Sequence, residues 1–290
     1  MADNNLFDLT GRTALITGGS RGLGLQMAEA LGSQGAKLLL SARKSDELQQ
    51  ARTHLEKHGI EADWFAADGA KEADINDLAD AAMHKLGHVD ILINNAGASW
   101  GAAAEDYPVE AWDKVFNLNI RGLFLLTQQI GKRSMIPRNY GRIVNIASIA
   151  GLRGNPPGAM QTIAYNTSKG ALVNFTRTLA GEWGRYGITV NALAPGFFPS
   201  KMSSALIKTL GEDVLIGNSP LQRLGDDEDL KGAALLFAFI GGALLFVVSR
   251  VFTDLVTGLG GDLKRGVGRR QLRTDLAGRL ERIRAALTKP

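Results

Sequence analysis

The chain of 290 residues is long enough to form one large α/β domain or two small ones. It contains no cysteine, which excludes disulfide bonds and thiolate chemistry. The net charge of +4 is unevenly distributed, because residues 250–290 hold ten Lys/Arg and four Asp/Glu, whereas residues 1–249 hold 23 and 25. The basic balance is therefore a property of the C-terminal segment.

A glycine-rich turn connects the first predicted strand to the first predicted helix. Residues 13–17 form a short apolar, β-prone run, and residues 25–31 have apolar side chains at helical spacing. Glycines between such elements allow a tight turn and let backbone N–H groups approach a pyrophosphate at the helix N-terminus. The spacing is G-x-x-x-G-x-G rather than G-x-G-x-x-G, and a glycine turn that binds nothing is the alternative. The dinucleotide cradle is expected to comprise Gly18, Ser20, Arg21, Gly22 and Gly24.

The end of the second predicted strand, 37–41, indicates which dinucleotide is bound. An acid about 20 residues beyond the glycines accepts the ribose hydroxyls of NAD, whereas an arginine there accommodates the 2′-phosphate of NADP. This chain has Arg43 followed by Lys44, and Arg21 adds a second guanidinium nearby. Because guanidinium groups suit a phosphate dianion, NADP (NADPH) is the expected cofactor. The alternative is that both arginines are solvated surface charges.

The strand–helix alternation continues to about residue 237 without an obvious internal linker, which predicts one domain. Strands that alternate with helices form a parallel sheet with helices on both faces. The expected fold is therefore a doubly wound, Rossmann-type α/β sheet. The remaining strands are expected near 62–66, 89–94, 141–147 and 188–193, and long helices near 110–136 and 160–184.

Tyr165 and Lys169 form a Y-x-x-x-K pair, and Ser148 lies 17 residues before the tyrosine. Side chains four residues apart share one face of a helix, so that the phenol and the ammonium can point into the same cleft. A nearby cation favours the phenolate and is expected to lower the tyrosine pKa, while a serine hydroxyl can hold a carbonyl oxygen. This set suits proton transfer at an oxygen while a hydride moves at its carbon. The alternative is an ordinary surface pair on a helix.

Taken together, these motifs resemble those of the short-chain dehydrogenase/reductase family in order and spacing over residues 6–237. The glycine turn matches the cofactor loop of that family. Further matches are Asp68 after the third strand, Asn95, Ala96 and Gly97 after the fourth, the tetrad of Asn119, Ser148, Tyr165 and Lys169, and the segment with Pro195 and Gly196.

The resemblance implies a role for each residue of the tetrad. Tyr165 would be the general acid in reduction and the base in oxidation, and Ser148 would orient the carbonyl or hydroxyl group. Lys169 would hold the nicotinamide ribose and lower the tyrosine pKa, and Asn119 would support a water that relays protons through Lys169. Asp68 would meet the adenine, and residues 191–196 would close over the nicotinamide.

The resemblance also implies a small carbonyl or alcohol substrate and a homo-oligomer, either a dimer or a tetramer. Segments 151–157 and 197–202 should line the substrate mouth, and they most resemble gluconate 5-dehydrogenases and 3-oxoacyl thioester reductases of the family. Arg153 or Lys201 would favour an acidic substrate, unless both are solvated loop cations.

The C-terminal part departs from the family pattern, which usually ends in a strand and an Asp-Gly-Gly signature. Residues 232–249 contain no charge, which suits either a buried helix followed by a strand at 243–248 or a short membrane span. We expect the dehydrogenase domain to cover 1–249, a glycine-rich linker 250–268 and a basic amphipathic helix 269–290. That helix could pack on protein, contact a membrane surface or bind nucleic acid. A shifted reading frame or a fusion would also account for the departure.

The sequence also argues against a metal site, secretion and several kinds of partner. His54 and His58, like His84 and His88, are four residues apart without an evident third ligand, so no metal site is expected. The N-terminus lacks the basic and apolar regions of a secretory signal, which predicts a cytoplasmic enzyme. No nucleic acid partner is expected, and membrane contact through the C-terminal segment is not favoured. The competing hypotheses are a membrane-associated reductase and a catalytically weak binding or scaffold protein.

Overall fold

The computed structural model describes residues 7–155, 160–200, 203, 207, 211–216 and 221–239. In this part of the chain a six-stranded parallel sheet has the order β3-β2-β1-β4-β5-β6. The order reverses between β1 and β4, so a crevice opens there beyond the carboxyl ends of the strands. The predicted doubly wound α/β sheet is confirmed. Its strands are β1 (Thr13–Thr17), β2 (Lys37–Ala42), β3 (Ala62–Ala66), β4 (Ile91–Asn94), β5 (Gly141–Ile146) and β6 (Ile188–Leu193).

Helices cover both faces of this sheet. Those before β5 are α1 (Gly22–Ser33), α2 (Ser45–Lys57), α3 (Glu72–Leu86), α4 (Val109–Phe116), α5 (Leu123–Ile130) and α6 (Ile136–Arg138). Those after it are α7 (Ile163–Trp183), α8 (Glu212–Ile216) and α9 (Lys231–Phe239). The helix predicted near 110–136 is a helical run without gaps, in which two π-helical turns, Asn117–Gly122 and Gly131–Met135, separate α4, α5 and α6. The helix predicted near 160–184 corresponds to α7.

The strands are apolar on both faces, and successive side chains supply two separate cores. In β1, for example, Ile16 packs with Met27 and Leu31 of α1, whereas Leu15 faces the opposite core with Leu78 of α3. All five side chains are buried. This two-sided burial holds the strand ends in fixed positions, which is what a site built on those ends requires.

Helix α9 belongs to the same domain, because Ala234 and Ala238 are buried in the core that α1 also supplies. The prediction of a buried helix to about Ala238 agrees with this packing. The predicted strand 243–248, linker 250–268 and helix 269–290 lie outside the described residues. Within the described ranges, no helix combines the length and apolar character that crossing a membrane would require.

Candidate active site

The glycine turn after β1 is held by the loop after β4. Gly18 and Gly22 have φ angles of 63° and 53°, a left-handed conformation that favours glycine. The Asn95 side-chain amide donates to the carbonyls of Thr17 and Gly18 at 3.1 and 3.0 Å. A Cβ atom on Gly24 would meet the Gly18 carbonyl oxygen and that same amide. Asn95 therefore shapes the cradle from behind, and Gly24 allows α1 to approach it.

Four charged side chains lie at one end of this cradle. Arg21 Nη1 donates to Glu47 Oε2 at 2.5 Å, and Lys44 Nζ lies 3.3 Å from the other carboxylate oxygen. Arg43 is exposed and lines the same cleft, and none of the described residues lies within ion-pairing distance of it. Sequence reasoning named the three cations, but it missed the carboxylate of Glu47 that engages two of them.

The loop after β3 approaches the cradle from the other side. The Asp68 carboxylate accepts the N–H of Ala70 at 3.1 Å, and the Asp68 N–H donates to Asp74 at 2.8 Å. Gly69 then lies against Gly122 in the first π-helical turn, where an added Cβ would run into the Gly69 carbonyl oxygen. π-helical turns of this kind are frequent at functional sites. Here the turn brings the Asp68 loop and the helix that carries Asn119 into backbone contact.

We expect Gly122→Ala to weaken NADPH binding and to lower stability by about 1–3 kcal/mol, the usual range for overpacking. The added methyl must displace either the Gly69 backbone, and with it Asp68, or the turn that holds Asn119. Thermal unfolding and NADPH titration measure the two effects.

The matched control is Gly181→Ala, since Gly181 lies within α7 and an added Cβ there would meet no atom within 4 Å. Removing a glycine from an open helical position should be neutral or stabilising by up to about 1 kcal/mol. If both variants behave alike, close packing at Gly122 does not organise the site.

Asn119 is 1% exposed and is held by three hydrogen bonds. Its Oδ1 accepts the Ala98 N–H at 2.8 Å, while Nδ2 donates to the Ala98 carbonyl at 3.0 Å and to Ser168 Oγ at 3.0 Å. A Cβ atom on Gly97 would lie 3.4 Å from Asn119 Oδ1 and 3.7 Å from Lys169 Nζ. The amide thus links the loop after β4 to α7 beside Lys169.

Ser148 follows β5 and is positioned by close backbone packing. Its Oγ accepts the Ala150 N–H at 3.1 Å, and the turn continues as a short 3₁₀ helix, Ile149–Gly151. A Cβ on Gly151 would lie 2.7 Å from the Gly170 nitrogen on α7. Since Gly151 has no side chain, the turn that carries Ser148 can pack directly on the helix that carries Tyr165 and Lys169.

The pair on α7 points into the cleft as the i, i+4 spacing predicts. Tyr165 and Ser148 line the same cleft, with the serine hydroxyl close enough to influence the proton affinity of the phenol. Lys169 is 4% exposed, its Nζ donates to the Ile146 carbonyl at 2.6 Å, and it lies 5.6 Å from the centre of the Tyr165 ring. Serine, tyrosine and lysine therefore come together although they derive from two different elements.

Burial sets the proton affinities of this pair. It lowers the pKa of the Lys169 ammonium from 10.5 to about 8, because a charged group loses its hydration there. Burial raises the pKa of the Tyr165 phenol, and the nearby Ser148 hydroxyl opposes only part of that rise. The expectation that Lys169 lowers the tyrosine pKa is therefore wrong for this structure, since desolvation dominates and the ammonium is directed at the Ile146 carbonyl.

One cleft of about 2700 Å³ contains nearly all of the predicted site residues. Two of the predicted site residues, Gly24 and Asn119, do not line the cleft. At the end of the cleft where the substrate was expected, the predicted segments 151–157 and 197–202 contribute the apolar residues Leu152, Phe197 and Phe198. Trp100, Met160 and Leu221 line the cleft as well but were not predicted, because loop residues follow no periodic pattern.

A buried polar chain beneath the cleft was also missed. Asn94 is the last residue of β4, and its side-chain amide donates to Thr127 at 3.0 Å and to Asn145 at 2.9 Å. Asn145 in turn donates to Thr176 at 2.9 Å. These bonds join α5, β4, β5 and α7, which fixes the strand ends that carry the site.

Comparisons with known proteins agree with this geometry. A family model described as short chain dehydrogenase matches residues 12–211. The chain is 36% identical to the gluconate 5-dehydrogenase of Gluconobacter oxydans over 88% of this chain and 100% of that protein. It is 38% identical to a 3-oxoacyl-(acyl-carrier-protein) reductase of rhamnolipid biosynthesis from Pseudomonas aeruginosa, over 82% and 93%.

A solved structure gives the same result. The gluconate 5-dehydrogenase of Burkholderia cenocepacia, crystallised with NADP and tartrate, superposes with a TM-score of 0.75 at 32% identity. The match covers 81% of this chain and 93% of that chain.

Proposed function

The chain belongs to the short-chain dehydrogenase family, and we propose that it interconverts a carbonyl group and a secondary alcohol with NADP(H). The observation that carries this proposal is the meeting of Ser148, Tyr165 and Lys169 in the same cleft as the glycine turn. When bound, NADPH would supply the hydride in reduction and NADP⁺ would accept it in oxidation. The residues of this chain bind the reactants, orient the oxygen and move its proton.

The residues present fit the cofactor. The tight turn at Gly18 depends on the absence of a side chain, since a Cβ there would lie 2.8 Å from the Asn95 amide that shapes the cradle from behind. Arg43 and its neighbours suit the 2′-phosphate, and Asp68, which lines the same cleft, would meet the adenine. The nicotinamide end would be held by Ala96, Gly97, Pro195 and Gly196, of which Pro195 accepts the Ile149 N–H beside Ser148.

Each catalytic side chain then has one task. The Ser148 hydroxyl holds the substrate oxygen by a hydrogen bond. Tyr165 gives its hydroxyl proton to that oxygen in reduction and takes a proton from it in oxidation. Lys169 binds the ribose next to the nicotinamide, and Asn119 keeps the backbone at Ala98 and the start of the proton path in place. The raised pKa of the Tyr165 phenol keeps it protonated at neutral pH, as a proton donor must be.

A titration of the purified protein with NADPH and NADH, followed by nicotinamide fluorescence, tests the cofactor part of the proposal. Tight NADPH binding with weak NADH binding is expected. If neither binds, the enzyme proposal falls behind that of a binding or scaffold protein. Screening for turnover should begin with the oxidation of D-gluconate and the reduction of a 3-oxoacyl thioester, the substrate types of the relatives.

Arg43→Asp should shift the cofactor preference toward NADH. The guanidinium is exposed to the cleft, and an aspartate in its place would repel the 2′-phosphate and accept ribose hydroxyls instead. A loss of one charge-assisted contact corresponds to about a tenfold or larger change in the ratio of the two dissociation constants. Arg52→Asp on the outer part of α2 is the control, because Arg52 pairs with Glu56 and does not line this cleft. An unchanged ratio in Arg43→Asp would show that Arg43 does not recognise the phosphate.

The substrate is proposed to be an acidic oxo or hydroxy compound of the sugar-acid type or a 3-oxoacyl thioester. Arg153 supports this, because it lines the cleft, is exposed, and has no ion-pair partner among the described residues. The tartrate in the related gluconate 5-dehydrogenase structure is likewise an acid. Lys201, the other predicted cation, lies outside the described residues.

We extend the proposal to a homo-oligomer, a dimer or tetramer, that works in the cytoplasm. Exposed large apolar side chains on the helices support self-association, among them Val109, Phe124 and Ile163. The hypothesis of a membrane-associated reductase depends on residues that the structure does not describe. A scaffold without activity is not favoured, because such a protein has no chemical need for the complete tetrad.

A further inference from the structure

Glu47 stands among the cations at the proposed 2′-phosphate site. It lies in the first turn of α2 and lines the same cleft as Arg21, Arg43 and Lys44. Its two carboxylate oxygens are both engaged, one by Arg21 at 2.5 Å and the other by Lys44 at 3.3 Å. One carboxylate thus forms ion pairs with two of the three cationic side chains at this end of the cleft.

A phosphate would seek the same donors. Arg21 presents Nη1 to the carboxylate, so an approaching phosphate must either share that guanidinium or replace Glu47 on it. If it replaces Glu47, a carboxylate is left beside a group of about −1.5 to −2 charge. Both routes cost binding free energy, and NADH, which lacks the phosphate, avoids both.

The pair can be rearranged. The Arg21 side chain is 50% exposed and the Glu47 side chain 21% exposed, so water can replace either partner when the contact breaks. Exposed pairs of this kind shift equilibria by only a few-fold each. They are therefore strong enough to adjust cofactor preference and too weak to prevent the binding of a phosphate.

We propose that Glu47 is a specificity-determining residue that competes with the 2′-phosphate of NADP for Arg21 and Lys44. With its carboxylate present, the ratio of NAD to NADP dissociation constants is smaller than the three cations alone would give. Arg43, which Glu47 does not engage, provides the contact that remains. This inference rests on the proposed function, because it assumes that the phosphate of NADP binds at these cations.

Glu47→Gln tests the inference by removing the charge while nearly keeping the shape. NADPH should bind about three- to tenfold more tightly, the effect of releasing two exposed pairs, with NADH changed less than about twofold because it carries no 2′-phosphate. The dissociation constants come from fluorescence titrations of the full chain, with thermal unfolding to show that each variant is folded. NADPH affinity in Glu47→Gln should also fall more steeply with added salt, since the site gains net positive charge.

Two further variants make the result specific. Glu56→Gln removes a carboxylate from the same helix, where it pairs with Arg52 at 2.7 Å outside the cleft, and should leave both affinities unchanged. In an Arg21→Gln background, the gain from Glu47→Gln should shrink, because the principal donor is already absent.

The outcomes separate the two proposals. If the wild type shows no preference for NADPH, the cofactor assignment fails whatever Glu47→Gln does. If the wild type prefers NADPH but Glu47→Gln leaves its affinity unchanged, the competition does not exist. If that variant binds NADPH more weakly, Glu47 instead orders Arg21 and Lys44 for the phosphate, and the inference is overturned.

Discussion

Tyr165→Phe is expected to lower kcat by about 10²- to 10⁴-fold, the range that a positioned general acid or base contributes. The substitution removes one hydroxyl and keeps the ring, which is packed in the wall of the cleft beside Lys169. NADPH should therefore bind within about threefold of its wild-type affinity, so that the loss falls on the chemical step. Steady-state kinetics together with a cofactor titration measure both quantities.

The pH dependence adds a second test of the same residue. Because burial raises the pKa of the Tyr165 phenol, the neutral form that reduction needs predominates at neutral pH. Oxidation needs the phenolate, so its kcat should rise with pH, and the residual activity of Tyr165→Phe should lose that rise.

Tyr186→Phe serves as the control, since it deletes the same hydroxyl from the turn that follows α7, away from the cleft. It should retain near wild-type turnover. Near wild-type turnover in Tyr165→Phe instead would exclude the proposed proton transfer.

Much of the site could be predicted because most of its motifs follow the end of a strand. Thr17 ends β1 and Asn94 ends β4, and parallel strands bring such ends to one edge of the sheet. Apolar runs bounded by glycines and polar residues therefore fixed both the strands and the loops beyond them. Strand limits moved by no more than two residues, for example from 89 to Ile91 at the start of β4.

Other parts of the site depend on contacts that a pattern of residue types does not contain. Helical periodicity does not reveal the π-helical turn at Asn117–Gly122, where Gly122 packs closely on the Gly69 backbone. The position of Glu47 among the cations depends on the reach of flexible side chains across two elements. The sequence could have indicated the contact between Glu47 and Lys44, since an acid three residues after a lysine at the start of a helix can pair with it.

The pKa of Tyr165 shows why proximity alone misleads. A cation four residues away on a helix favours a lowered value, but the sequence does not tell how deeply the phenol is buried. In the structure burial has the larger effect, and Lys169 turns its ammonium toward the Ile146 carbonyl. A buried lysine with a lowered pKa reduces stability and agrees with the catalytic role proposed for Lys169.

Lys169→Met should therefore abolish activity and yet stabilise the protein near neutral pH. Lowering a lysine pKa from 10.5 to about 8 corresponds to a burial penalty of about 3 kcal/mol for the charged form. Methionine is of similar length and has no charge to bury. The lost hydrogen bond to the Ile146 carbonyl offsets part of the gain, at about 1–3 kcal/mol for an unsatisfied buried group. The net stabilisation at pH 7 is expected to be at most about 2 kcal/mol.

The pH dependence of that difference is the sharper measurement, because the lost hydrogen bond contributes equally at every pH. Below pH 8 the lysine is charged in both the folded and the unfolded protein, so the folded wild type bears the full penalty. Between pH 8 and 10.5 the folded protein has released a proton that the unfolded chain still binds, so wild-type stability rises with pH. The advantage of Lys169→Met should shrink by about 3 kcal/mol across that window in urea unfolding curves.

Lys85→Met is the control, because it removes a half-buried ammonium that pairs with Asp63 at 2.6 Å, and it should cause a slight loss of stability. A constant difference in stability between wild type and Lys169→Met from pH 7 to 10.5 would show that the folded protein does not hold Lys169 with a lowered pKa.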